Sequence, residues 1–248
     1  MDPISFGQIW PATVAGVRRH GDMLWTIAAA FLFLPQLLFA RQVNDRTPDQ
    51  LFKGEHVAMD AAAVLLVLAG TLIAQLMIAR LIARGGTGGQ PLAHDLGAAL
   101  RLFPAALALF LIQGIATGLG LFLFILPGLW ILTRLSLVIP LVATAHPDPL
   151  DALKASWALT SGRAFRLFGM IAVLITGFML LSLGILGLGA ALGVISTLAT
   201  GASAQGWGIG RWLFEMLNAG ASAAFGTFYI AFITTLMLAL KQHPARQA

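Results

Sequence analysis

Arg134 and Glu215 are the two side chains of this 248-residue sequence whose placement inside long apolar runs could support chemistry. A charge deep in a membrane-crossing helix costs at least about 2.5–3.5 kcal/mol, and it usually faces a partner or a wet cavity. Arg134 lies about seven residues past Pro127, and Glu215 about five past Gly210. At about 1.5 Å per residue, both then sit roughly 8–10 Å below the outer boundary of their runs. Equal depth makes an ion pair geometrically possible, and Arg211, one helical turn before Glu215, can join it. Two chemistries fit such a cluster. One is a polar site opening outward, for an anionic lipid headgroup or a solute. The other, which the sequence favours, is a structural pair that locks one span to another, helped by snorkelling of the arginine.

Other chemistry is poorly supported. The run Gly85-Gly86-Thr87-Gly88-Gly89 lacks the Gly-Lys-Ser/Thr ending of a phosphate loop and no strand precedes it, so it reads as a flexible linker. His56, His94, His146 and His243 are scattered without ligand spacing, so no metal site is expected. No Ser-His-Asp or paired-carboxylate arrangement stands out, and Glu215 is the one acidic residue well inside a span. The expectation is a protein with no catalytic residues and no cofactor. Cysteine is absent, which excludes disulfides and thiol chemistry.

The elements that must position the cluster are six long apolar stretches, at 22–40, 60–83, 104–124, 127–145, 168–199 and 211–240. A hydrocarbon core about 30 Å thick needs about 20 apolar residues in a helix. Hydrophobic residues make up 58% of the chain and charged residues 10%. A soluble domain carries about 25% charged residues, so a water-soluble fold is excluded. The fold class is all-α integral membrane, with six transmembrane helices.

Orientation follows from the basic residues. With the N-terminus inside, Arg18, Arg19, Arg80, Arg84, Arg101, Lys154, Arg163, Arg166, Lys241 and Arg246 are cytoplasmic, and Arg41, Arg46, Lys53 and Arg211 are opposite. Ten against four predicts both termini in the cytoplasm, with 41–58 as the one sizeable outer loop. The run from Met23 to Ala40 exceeds a typical signal-peptide core of about 7–15 residues, so the first span is expected to be retained. The net charge of +5 fits orientation and attraction to anionic headgroups. Membrane lipids are the expected partners and nucleic acid is not, since no basic run lies outside the spans. Protein partners and homo-oligomerisation stay open.

Short amphipathic segments precede the spans. Asp148-Pro149-Leu150-Asp151 reads as a helix start, with Asp148 capping and Pro149 at the first helical position. Leu150, Leu153 and Trp157 then share one face, which is expected to meet lipid or the bundle, and Ser161-Gly162 is a fitting stop. Residues 91–103 repeat the pattern with Leu92, Leu96, Leu100 and Phe103, flanked by Asp95 and Arg101. A third copy runs from Ile4 to Arg18. The order predicts three repeats of an interfacial helix and a transmembrane hairpin, at 3–84, 91–145 and 148–240, within one membrane domain. Pro140 predicts a kink in the fourth span, and pairs such as Gly114 and Gly118 or Gly189 and Gly193 predict close helix packing.

Leu126-Pro127-Gly128, Arg134-Leu135-Ser136-Leu137, Pro140, Ala152-Leu153, Ser156, Leu159-Thr160, Gly162 and Arg166 form an ordered string over about 126–169. It resembles the YciC-like bacterial inner-membrane proteins and is similar to the membrane domain of some glycerophosphodiester phosphodiesterases. The resemblance implies an inner-membrane location and a helical membrane architecture. The phosphodiesterases would carry their chemistry in a separate soluble barrel, so that activity is not implied for these residues. The expected function is a non-enzymatic protein of envelope or lipid homeostasis, acting as a scaffold. The alternative is a transporter or lipid-handling module using the cluster of Arg134, Arg211 and Glu215.

Overall fold

Helices account for nearly all the described residues, and no strand occurs among them. The computed structural model describes residues 5–44, 57–85, 91–145, 148–200 and 209–242. The outer loop expected at 41–58 and the glycine linker lie mostly outside these, as do His56, His146 and His243. The helices are α1 Phe6–Arg19, α2 Gly21–Ala28, α3 Leu34–Asn44, α4 Val57–Ala83, α5 Leu92–Leu123, α6 Ile125–Leu135, α7 Val138–Thr144, α8 Pro149–Thr160, α9 Ala164–Thr200 and α10 Ile209–Gln242. Six stretches are long and apolar enough to cross a membrane: Gly21–Gln42, Val57–Ala83, Leu92–Leu123, Pro127–Thr144, Ala164–Ala191 and Gly210–Gln242. The chain is an all-helical, multi-pass integral membrane protein.

Proline shapes two of the spans through the same mechanism. Proline has no N–H to give to the carbonyl four residues back, and its ring crowds that carbonyl. Pro35 therefore cannot serve Phe31. Here the first span opens into a π-helical turn, Ala29–Phe33, in which Leu34 N–H bonds back to Ala29 O. Pro140 cannot serve Ser136, and the fourth span breaks at Ser136–Leu137 into α6 and α7 rather than merely kinking. Pro104, by contrast, lies inside one continuous helix.

That continuity corrects one expectation. Residues 91–103 do not form a separate interfacial helix but run straight into the third span as α5. The physical reason lies in the joins. His20 separates α1 from α2, and Ser161-Gly162-Arg163 separates α8 from α9, with Gly162 at φ 72°, a left-handed conformation that glycine adopts without strain. Arg101-Leu102-Phe103 offers no such stop.

The described chain divides into two compact units. Unit one comprises 1–27, 72–174 and 227–248. Its core is large and aliphatic, built on Leu24, Ile27, Leu72, Leu76, Leu109, Leu137, Leu141, Leu167 and Leu236, with Phe232. Unit two comprises 28–71 and 175–226. It is held by fewer, more specific contacts. Phe178 stacks on Phe225 with ring centroids 4.0 Å apart. Gly70 lies so close to Phe31 that a Cβ there would meet its carbonyl oxygen at 2.5 Å. Burial separates the spans: the fourth and sixth are 56% buried, the fifth only 11%, so the fifth presents most of its surface to lipid.

Candidate functional site

Arg134 sits one residue before the end of α6, where the broken span leaves carbonyls without helical donors. The helix α8 supplies what is missing. Asp148 caps it as expected, accepting from Leu150 N at 2.8 Å and Asp151 N at 3.3 Å. The face that α8 buries is not the one expected. Ala152, Ser156 and Thr160 are fully buried, whereas Leu150 and Trp157 stay exposed. Small side chains at i, i+4 and i+8 let α8 approach α5, α6 and α7 closely. Ser156 Oγ then donates to the Arg134 carbonyl at 2.6 Å. Arg134 Nη1 donates in return to Trp157 O at 3.1 Å and Ser161 Oγ at 2.9 Å. Its guanidinium lies 4.8 Å from the Trp130 ring centroid and 5.0 Å from that of Trp157. Arg134 thus reads as a cation at a helix C-terminus, seated between two tryptophans.

The cluster expected around Arg134 is distributed differently. Its hydrogen bonds are made within unit one. Arg211 and Glu215 belong to unit two, one turn apart on α10, and neither is a free charge. Glu215 is buried and lines a cavity of about 350 Å³ with Gln36, Phe39, Phe214 and Asn218. Gln42 Nε2 donates to Asp60 Oδ1 at 3.2 Å in the same unit.

A second charged cluster, not singled out from the sequence, lies in unit one. Asp95 in the first turn of α5 is 2% exposed. Arg84 approaches it with two nitrogens, Nη2 to Oδ1 at 2.6 Å and Nη1 to Oδ2 at 2.9 Å. Arg80 adds Nε to Oδ1 at 3.5 Å and uses Nη1 on Ala143 O at 3.0 Å, at the end of α7. One carboxylate therefore joins α4, α5 and α7. The signal in the sequence is the i, i+4 spacing of Arg80 and Arg84, followed after a glycine linker by an acid in a first helical turn. Counting basic residues for orientation alone passes over it. Nearby, Arg19 Nη1 donates to Gly85 O at 2.9 Å. Among the described residues no three His, Asp or Glu come together as metal ligands would.

The family model for the membrane domain of glycerophosphoryl diester phosphodiesterase matches residues 107–247, more than half of the chain. The chain belongs to that family. The matched region holds the broken fourth span, α8 with its grip on Arg134, and Glu215. It leaves out Arg80, Arg84 and Asp95. No curated protein and no solved structure matches the chain.

Proposed function

We propose that this member of the phosphodiesterase membrane-domain family is a non-enzymatic scaffold of envelope or lipid homeostasis, set in a bacterial inner membrane with both termini cytoplasmic. The observation that carries the reading is the use made of the buried and half-buried charges of unit one. Asp95 is closed in by two arginines and Arg134 by α8 and two tryptophans, so these charges join helices. The likeness of 126–169 to YciC-like proteins supports the location, and the ten-to-four basic bias supports the orientation. A C-terminal alkaline phosphatase fusion should be inactive, and an active one overturns the orientation. A deletion strain should change in detergent sensitivity without accumulating one lipid precursor. A specific precursor that builds up and is consumed by the purified chain overturns the non-enzymatic reading.

The cavity at Glu215 favours a second reading, a transporter or lipid-handling module. Glu215→Gln would then leave thermal stability unchanged yet fail to complement the deletion. A variant that complements fully removes this alternative.

A further inference from the structure

Unit one contains another cavity, of about 380 Å³, bounded by α4, α5, α10 and the break between α6 and α7. Its polar lining is uncharged: Gln75, Gln113, Thr117, Ser136 and Tyr229. All lie within membrane-crossing stretches, where an amide or hydroxyl is costly unless it finds a partner. The usual partner for a threonine in a helix is its own carbonyl one turn back. Thr71, Thr133, Thr144 and Thr234 all do this, at 2.7–2.9 Å. Thr117 does not. Its hydroxyl is buried and has no hydrogen-bond partner.

Three further features belong to the same cavity. Pro140 denies the Ser136 carbonyl its helical donor at the break in the span. Discontinuous helices that free backbone groups in this way are tolerated in membranes where they line a cavity. Gly114 and Gly118, expected from their spacing to pack a helix closely, have nothing within 4 Å of where a Cβ would stand and instead leave the cavity its room. Phe110 and Leu121 at the edge are exposed, so the opening is flanked by surface suited to hydrocarbon.

We propose that this cavity binds the head of an uncharged, hydroxyl-bearing lipid, with its acyl chain leaving past Phe110 and Leu121. The lining contains no lysine, arginine or histidine to neutralise a phosphate. An ionised head would enter a low-dielectric site uncompensated, at a cost of several kcal/mol by general estimates, whereas a hydroxyl head can donate to and accept from the amides and Thr117. The volume lies within the ordinary range for ligand pockets, about 300–1,000 Å³. The site is distinct from the Glu215 cavity and does not depend on the scaffold reading, so either can fail alone.

The test uses the full chain, purified and delipidated, then offered diacylglycerol or phosphatidylglycerol in separate samples. Native mass spectrometry and thermal shift report binding. Wild type should retain one diacylglycerol and be stabilised by it, with phosphatidylglycerol at least tenfold weaker. Gly118→Leu fills the open space and should abolish retention while the protein stays folded. Thr117→Val should weaken it about tenfold, and Thr117→Ser should restore it. Gly184→Leu, on a helix surface in unit two with open space around it, should bind as wild type does. Equal binding of the two lipids, unchanged binding in folded Gly118→Leu, or no diacylglycerol retained by wild type each overturns the proposal.

Discussion

Two polar regions of unit one are built on the same helices and treated in opposite ways. Asp95 and its arginines form a closed set, in which the carboxylate of α5 receives nitrogens from both Arg80 and Arg84 of α4. Gln75, five residues before Arg80 on α4, belongs instead to a neutral cavity where the Thr117 hydroxyl has no partner. Electrostatics accounts for the contrast. A buried charge must be compensated within the protein, so its neighbours are fixed by folding. A buried neutral hydroxyl can be left for a ligand at a cost of about 1–3 kcal/mol.

The contrast is most exposed to disproof at Asp95. Asp95→Ala leaves two half-buried arginines without their anion, and removing one partner of a buried pair costs about 3–5 kcal/mol. Thermal unfolding in detergent should show a large loss, or the variant should not accumulate in the membrane. A wild-type melting temperature would mean that the cluster holds nothing together. An intermediate effect is expected at Arg134, whose aromatic seat is worth about 0.5–2 kcal/mol. Arg134→Leu and Ser161→Ala should each destabilise, and their double-mutant cycle should show coupling of about 0.5–1.5 kcal/mol. Strict additivity would detach Arg134 from the end of α8. The smallest effect belongs to the cavity. In lipid-free detergent Thr117→Val should shift stability by no more than about 1 kcal/mol, and in the favourable direction, because it removes an unpartnered hydroxyl. A clear destabilisation there would show that the hydroxyl already has a structural role, and the two regions would no longer differ in kind.

Much of the fold is legible in the sequence because the bilayer imposes one strong rule on it. Runs of about 20 apolar residues mark the spans, and the ends of the observed helices follow those runs closely. Asp148-Pro149 and Ser161-Gly162 also mark the ends of α8, since capping and left-handed turns are local chemistry. What the sequence hides depends on three-dimensional partners. Large apolar residues at helical spacing suggest a buried face on α8, whereas Ala152, Ser156 and Thr160 pack there and Leu150 and Trp157 do not. In a membrane protein lipid is itself apolar, so size rather than hydrophobicity decides which side meets another helix. Depth, the measure that pairs Arg134 with Glu215, is one-dimensional and ignores the return of α8 along the broken span. Thr117 is invisible for a simpler reason: a threonine among leucines looks ordinary until its missing hydrogen bond is seen.

The π-helical turn at Ala29–Phe33 constrains how the first span can change over evolution. A turn of this kind holds one residue more than the α-helical turn it replaces, so it acts as an insertion absorbed without a loop. Deleting a single residue there, such as Phe33, would restore an ordinary helix only by swinging everything beyond it through about 100°. Gln36 and Phe39 would leave the cavity they line with Glu215, although no residue of that cavity had been altered. The first span should therefore accept many point substitutions on its lipid face and yet be intolerant of any change in length.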